Sequence, residues 1–484
     1  MMTDLISSLS KEELSERRFS TLCISPDDAK YYSTSKKLRR FLSAEAEWRE
    51  CANIQYVLLD TRKEFGKAEQ WHVDEVFSAL DKIDPLNMTL LEEKITKHDQ
   101  LAVIEEIGRY VSLETKALLH PGTTSYDIVD TARSSLIKKC WFDVMRPVIV
   151  ESIEMLCVKA EKLYEIMRAG RTHIQATSPV SFGATFAGYA LRLAERVKLC
   201  DMFASDLRGK ISGIVGTGAS IEMVIGEGLS LEFENKVLDK LGLKPDTTAT
   251  QVVQKERLAD FGHSLTILIH VLGDLANDMR LLYSTEINEI GSLDSSSRLG
   301  GSSADATKDN PINWENIAGT PSIVEGGMRT LYEMIDTDLE RDLRSSKQAR
   351  YQPKQMMAEV YESFVRFGKA IKDLFIREDS VTLNLQKVRD NPGDAMTSIL
   401  RGERWTHSVY GVGHNFVKEI GKRAKHEKPK LLDVALEDSE FSALYSRLSE
   451  NKQEILSGKL ELYIGHSLER AKENVANART ILVG

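Results

Sequence analysis

Cysteine is sparse: Cys23, Cys51, Cys140, Cys157 and Cys200 are scattered over 484 positions, with no C-x-x-C pair. Neither a disulfide framework nor a zinc knuckle fits that spacing. Proline is equally scarce, with 11 residues, about half the usual frequency. Most prolines fall outside the long periodic segments, which favours a helical protein. No apolar run approaches a membrane span, and the richest stretch, Leu265 to Leu272, is interrupted by His270. Met1 to Ser20 lacks the apolar core of a signal peptide. A reducing cytoplasm is therefore the expected compartment. A basic excess is missing too: 64 Lys and Arg face 73 Asp and Glu, for a net charge of −9. That speaks against nucleic-acid binding, though not against a local pocket for one phosphate.

What is present is an ordinary globular balance, 42% hydrophobic and 28% charged. The first 120 residues read as short helices with polar joints, apart from an amphipathic helix over about 35–65. Longer helical patterns begin near Asp127. In the segment Glu256 to about Glu289, Leu258, Phe261, Leu265, Leu268, Leu272, Leu275, Met279 and Leu282 recur at alternating spacings of three and four. Such a seam belongs to a helix packed nearly parallel to bundle neighbours, and it spans ~36 Å. Candidate partners are Thr185 to Lys210, Lys138 to Met167 with a possible kink at Pro147, and about Gln355 to Phe375. The seam is too long for a compact monomer and implies oligomerisation. Asp274 and Asp278 on the same segment read as solvated charges, and His407 with His414 as having no metal role. Shorter segments follow Phe375. The expected fold is all-α with three helical domains: 1–121, a central long-helix bundle over 122–376, and 377–484.

Four loop-like segments rich in Gly, Ser, Thr and His break the helical pattern: His120 to Asp127, Gly170 to Pro179, Lys210 to Ser220 and Gly300 to Pro311. Such loops often only turn the chain. Long helices that present several of them together can also gather donors around one anion. The last is richest in chemistry, offering hydroxyls, a lysine, an asparagine and glycines within twelve residues. A serine hydroxyl becomes a useful base only where cations and oriented N–H groups stabilise its alkoxide.

The segment Gly301-Ser-Ser-Ala-Asp-Ala-Thr-Lys-Asp-Asn-Pro-Ile-Asn-Trp-Glu-Asn316 resembles the G-S-S-x-M-P-x-K-x-N-P motif of the aspartase/fumarase superfamily. Gly170-Arg-Thr-His173 and Thr124-Ser-x-Asp127 are similar to its other two active-site regions, and all three occur in its order. Lys97-His98-Asp99, Thr248-Ala-Thr-Gln251, Glu340-Arg-Asp342 and Ser346-x-x-x-Arg350 resemble the adenylosuccinate lyase branch. The resemblance implies a fumarate-releasing β-elimination that needs no cofactor or metal. Ser302 would be the base, and Lys308, Asn310 and the loop backbone around Ser303 would stabilise the aci-carboxylate. His173, oriented by Glu315, would be the acid. Thr124, Ser125, Thr172 and Gln251 would surround the succinyl carboxylates, and His98, Asp99 and His120 would line the pocket. Lys30, Tyr31, Arg341, Ser346 and Arg350 would hold the phosphate of a small nucleotide substrate. Members are homotetramers with composite active sites, and neither nucleic acid nor membrane is an implied partner.

The match departs from the motif at Asp305-Ala306, where the superfamily has Met-Pro, and at Asp309, where the branch has a basic residue. Lysine at position 30 also replaces an arginine and loses its bidentate fork. A carboxylate aimed at a polyanionic substrate from roughly 8 Å costs about 2 kcal/mol at an effective dielectric near 20. Either the added carboxylates point elsewhere, or the substrate differs, or catalysis is impaired. Three readings stay open: lysis of adenylosuccinate, release of fumarate from another N-succinyl compound such as argininosuccinate, and a catalytically silent structural or binding homologue.

Overall fold

A computed structural model describes residues 9–293, 304–305, 307–426 and 430–483. Helices dominate, and strands among the described residues form four two-stranded sheets. The chain divides into two compact units, and the division falls inside five long helices. Unit one comprises Met1–Val150, Arg196–His270 and Gly319–Val365. Unit two comprises Glu151–Glu195, Val271–Ala318 and Arg366–Gly484. Among the described residues, no helix is long and apolar enough to cross a membrane.

The core of unit one is built from the amphipathic faces of several helices. Ile54, Leu58 and Leu59 come from Ala44–Glu64, Val76 from Gln70–Leu80, Ile107 from Asp99–Gly108, Ile128 from Ser125–Cys140, and Phe233 and Val237 from Ser230–Lys240. The long helix expected over 35–65 is broken in its first part. Ser43 adopts an extended conformation, and its hydroxyl accepts the Ala46 N–H at 3.1 Å, so the continuous helix starts at Ala44. Unit two has its own core, in which Met396, Leu400, Phe416, Ile420, Val434, Phe441 and Leu456 close on one another.

The seam helix runs over Glu256–Tyr283, and of the eight seam residues only Leu258 is not fully buried. Asp274 and Asp278 are not merely solvated. Arg192 donates to Asp274 at 2.9 Å and the Tyr189 hydroxyl to Asp278 at 2.8 Å, which joins this helix to Phe182–Ser205. The helix expected from about Gln355 starts instead at Arg344 and passes through Pro353. A proline removes one backbone bond, and the loss is tolerated where neighbouring turns are held by packing. Its partner Ile312–Glu333, absent from the sequence reading, joins it through Ser363 and Thr320 (2.9 Å, both buried).

The interior of unit one holds a complete ion pair: Lys210 and Asp127, both with no side-chain exposure, are in direct contact. Asp127 also accepts the backbone N–H groups of Thr124 (2.7 Å), Ser212 (3.1 Å) and Gly213 (3.2 Å), while the ammonium donates to the Gly213 carbonyl at 3.0 Å. Full satisfaction is what makes a buried pair tolerable, since removing one partner leaves the other charge stranded. We expect Asp127→Asn and Lys210→Met each to lower unfolding stability by about 3–5 kcal/mol. The double variant should recover part of that loss, as read from urea melts. Additive losses would show that the two side chains do not act as a pair.

Candidate active site

Two groups of candidate residues emerge, one in each unit. In unit one the His120–Asp127 turn is built from below. Arg62, 1% exposed, donates to the carbonyls of Leu118 and Pro121, both at 2.6 Å. Gly122 takes a φ of +78°, and the Ser220 hydroxyl donates to its carbonyl at 2.6 Å. A side chain at Gly122 would meet the Ser220 carbonyl oxygen at 2.9 Å, so glycine is required there. Thr124 then caps the Ser125–Cys140 helix through its N–H to Asp127. Asp127 and the Lys210–Ser220 segment, both in regions that suggested chemistry, are therefore the scaffold of this turn. The signal for Lys210 was its place directly before a glycine-rich stretch that has to be pinned.

Around the start of that helix lie three of the candidates, Gln251, Arg341 and Ser346, together with Tyr126, which the sequence reading did not single out. The Arg341 guanidinium sits 3.6 Å from the Tyr126 ring centroid and donates to Gln251 Oε1 at 2.9 Å. Tyr126 and Ser346 share a hydroxyl–hydroxyl hydrogen bond of 2.9 Å. Ser346 and Arg350, four residues apart on Arg344–Asp373, share one helix face. Arg350 reaches a cavity of about 360 Å³ that Asp99, Glu92, Trp48 and Lys354 also line. Burial and the neighbouring Asp99 carboxylate push the Glu92 carboxyl up.

Arg350 also borders a wider space of about 830 Å³, where the other cations are Arg39 and Lys354. Lys30 and Tyr31 line neither cavity. His98 starts the Asp99–Gly108 helix, its Nδ1 accepting the Leu101 N–H at 3.4 Å, after a left-handed Lys97. Asp99 lies 3.5 Å from that ring.

The second group lies in unit two. Gly170 to Pro179, expected as a loop, is a β-hairpin in which Met167–Thr172 pairs antiparallel with Gln175–Ser181. His173 and Ile174 form its two-residue tip, at φ of 53° and 64°. Left-handed backbone at a β-branched isoleucine is strained, and such strain collects at functional positions. Just behind the tip the hairpin is held by Arg171, which donates to the fully buried Glu289 at 2.7 Å. Thr172, His173, Lys308 and Glu315 are exposed, and Asn310 is half-buried. Glu315 opens the Ile312–Glu333 helix and makes no ion pair with His173 among the described residues. Ser302 and Ser303 lie outside the described residues. Asp305 has its carboxylate engaged by Thr307, from the N–H at 2.9 Å and the hydroxyl at 2.7 Å. These bonds hold its carboxyl below the usual range.

His120, at φ +69°, bears on the acid–base chemistry. Burial, then the Arg62 charge, pulls its imidazole down to about 4. Its Nδ1 lies 3.1 Å from the Gln55 amide nitrogen and 3.0 Å from the Thr123 hydroxyl, so the neutral ring sits among polar neighbours. His120 is thus a hydrogen-bond donor at neutral pH and not a proton source. Because its folded-state value lies below that of the unfolded chain, its contribution to stability is complete above pH 6.5. It is lost as pH falls towards 4. The stability advantage of the wild type over His120→Asn should shrink by about 2–3 kcal/mol across that window, as measured by thermal unfolding. A gap independent of pH would show that the ring is not held neutral.

With this geometry in view, three comparisons become informative. Residues 28–326 match the family model described as Lyase. The adenylosuccinate lyase of Methanocaldococcus jannaschii is 26% identical over 452 residues, covering 92% of this chain and 94% of that protein. That of Archaeoglobus fulgidus is also 26% identical, covering 95% and 100%. Among solved structures, a fumarate lyase from Mesorhizobium sp. BNC1 superposes with a TM-score of 0.79 at 20% identity, covering 91% of this chain and 97% of that one. The 3-carboxy-cis,cis-muconate lactonizing enzyme from Pseudomonas putida gives 0.79 at 18%, covering 93% and 98%. These structural likenesses establish a shared all-α fold. The chain belongs to this lyase family, within the aspartase/fumarase superfamily that its motifs resemble.

Proposed function

We propose that the protein is an adenylosuccinate lyase, a carbon–nitrogen lyase that cleaves adenylosuccinate to AMP and fumarate. It would also cleave succinyl-aminoimidazole-carboxamide ribotide to the carboxamide ribotide and fumarate. The observation that carries this reading is the cluster of Tyr126, Gln251, Arg341 and Ser346 at the start of one helix, with Arg350 on the same face as Ser346 beside a cavity. A substrate without a phosphate has no need of that arrangement, since a guanidinium and a hydroxyl one turn apart suit a phosphate oxyanion. Near-complete coverage by relatives named adenylosuccinate lyase supports the same substrate.

In the proposed reaction Ser302 takes the proton from the succinyl carbon beside the carboxylate. Lys308 and Asn310 stabilise the dianionic aci-carboxylate that results. The C–N bond then breaks, and His173, oriented by Glu315, gives its proton to the departing nitrogen. Thr124, Ser125, Thr172 and Gln251 hold the succinyl carboxylates, with Ser303 in the adjoining backbone. Lys30 and Tyr31 complete the phosphate grip. No cofactor or metal takes part. His173, Lys308 and Glu315 are exposed in the single chain, which suits a site completed by other subunits. We therefore place the enzyme as a homotetramer with composite active sites, acting in the cytoplasm and organised as helical domains 1–121, 122–376 and 377–484.

The direct test is purified protein incubated with adenylosuccinate, with AMP and fumarate followed together. Both should appear, and Ser302→Ala should abolish turnover while leaving the oligomer intact by light scattering. Arg350→Ala should raise KM for adenylosuccinate about 10- to 100-fold, as the loss of a charged hydrogen bond worth about 1.5–3 kcal/mol implies. Fumarate formed only from a different N-succinyl compound would replace the substrate assignment. No fumarate from any such compound would make the chain a silent homologue.

A further inference from the structure

The segment that carries Lys308 and Asn310 is tied at both stems to one side chain. On the incoming side, Ile290–Ser292 pairs antiparallel with Leu374–Ile376. Arg377 follows that second strand, and its backbone N–H donates to the Glu289 carbonyl at 2.9 Å. Its Nε donates to the Ile290 carbonyl at 3.1 Å. The guanidinium lies so close over the strand that a side chain at Gly291 would stand 3.0 Å from Nη2 and 2.5 Å from the Phe375 ring. The same Nη2 lies 3.9 Å from the Asp309 carboxylate on the outgoing side. That carboxylate also accepts the hydroxyl of Tyr283, the nearly buried last residue of the seam helix.

We infer that Arg377, Tyr283 and Asp309 form a clamp, and that Asp309 is a positioning residue for Lys308 and Asn310. Asp309 sits between those two residues in the chain, so fixing its carboxylate fixes the backbone from which both side chains project. Pro311 limits the rotation beyond, and the Ile312 N–H closes back on the Asn310 carbonyl at 2.8 Å. A carboxylate suits this post because it accepts the phenol hydrogen bond and pairs in charge with the guanidinium, whereas a basic residue would face Arg377 with like charge. The acidic residue at 309, which looks hostile to an anionic substrate, is thus directed towards Tyr283 and Arg377. Its kinetic consequence rests on the lyase reading, but the clamp itself does not.

The test has two arms on the full-length protein. In the first, amide hydrogen exchange is followed over residues 307–312 in wild type, Tyr283→Phe and Asp309→Asn. Both variants should exchange about tenfold faster there, as expected for a lost charge-assisted hydrogen bond, with the core helices unchanged. In the second, kcat for adenylosuccinate should fall about tenfold in both variants while KM stays within about twofold, the mark of an interaction made in the transition state. Unchanged exchange in both variants overturns the clamp, whatever the substrate proves to be. Faster exchange with unchanged kcat overturns the positioning role. A wild type that fails to cleave adenylosuccinate defeats the lyase reading instead, and the exchange arm alone then decides the clamp.

Discussion

Much of unit one's candidate site depends on a single buried charge pair. Lys210 and Asp127 have no exposed side-chain surface, and the carboxylate gathers three backbone N–H groups from two separate segments. Leaving such a charge unpaired is so costly that Asp127, Lys210 and the turn at Thr124 must come together in one arrangement. The turn at Thr124 sets the direction of the Ser125–Cys140 helix, and with it the place of Tyr126. From Tyr126 the order passes to Arg341 through its ring face and to Ser346 through its hydroxyl. Polar residues that looked like substrate ligands are in part the frame that holds the ligands.

Unit two uses the same device with a different pair. Arg171 and the buried Glu289 anchor the hairpin whose strained tip is His173. Asn384 shares that carboxylate, donating to it at 3.1 Å. In both units a hidden ion pair supports a turn that holds candidate site residues. A reactive group held on a short turn above a rigid anchor loses little freedom on meeting substrate, which is how preorganisation lowers an activation barrier.

The added carboxylates show how far a motif comparison carries. By spacing alone, Asp305 and Asp309 leave open whether they face an anionic ligand or point elsewhere. The structure gives Asp305 to the N–H and hydroxyl of Thr307, two residues on, and Asp309 to Tyr283 and Arg377. A short side chain with two acceptor oxygens serves the nearest donors first, which are local for Asp305 and lie in other parts of the chain for Asp309. Lys30 lines neither of the two cavities beside Arg350. Its place in the motif suggested the phosphate grip, yet the cations lining the wider cavity are Arg39, Arg350 and Lys354.

Alternating spacings of three and four along Leu258 to Leu282 were enough to determine a long buried helix, because a 3.6-residue period leaves one face for the core. Motif order was enough to determine the superfamily, and the pairing of Ser346 with Arg350 on one face follows from helical geometry alone. Tertiary structure decided what local rules leave free. The hairpin at Gly170 needs a pairing that outweighs the strain at Ile174, and the helix through Pro353 needs packing to offset a lost bond. The partners of Asp127, Asp274, Asp278 and Asp309 lie from 26 to 89 positions away. No periodicity reports such a distance. Only the folded chain decides which donor a carboxylate will meet.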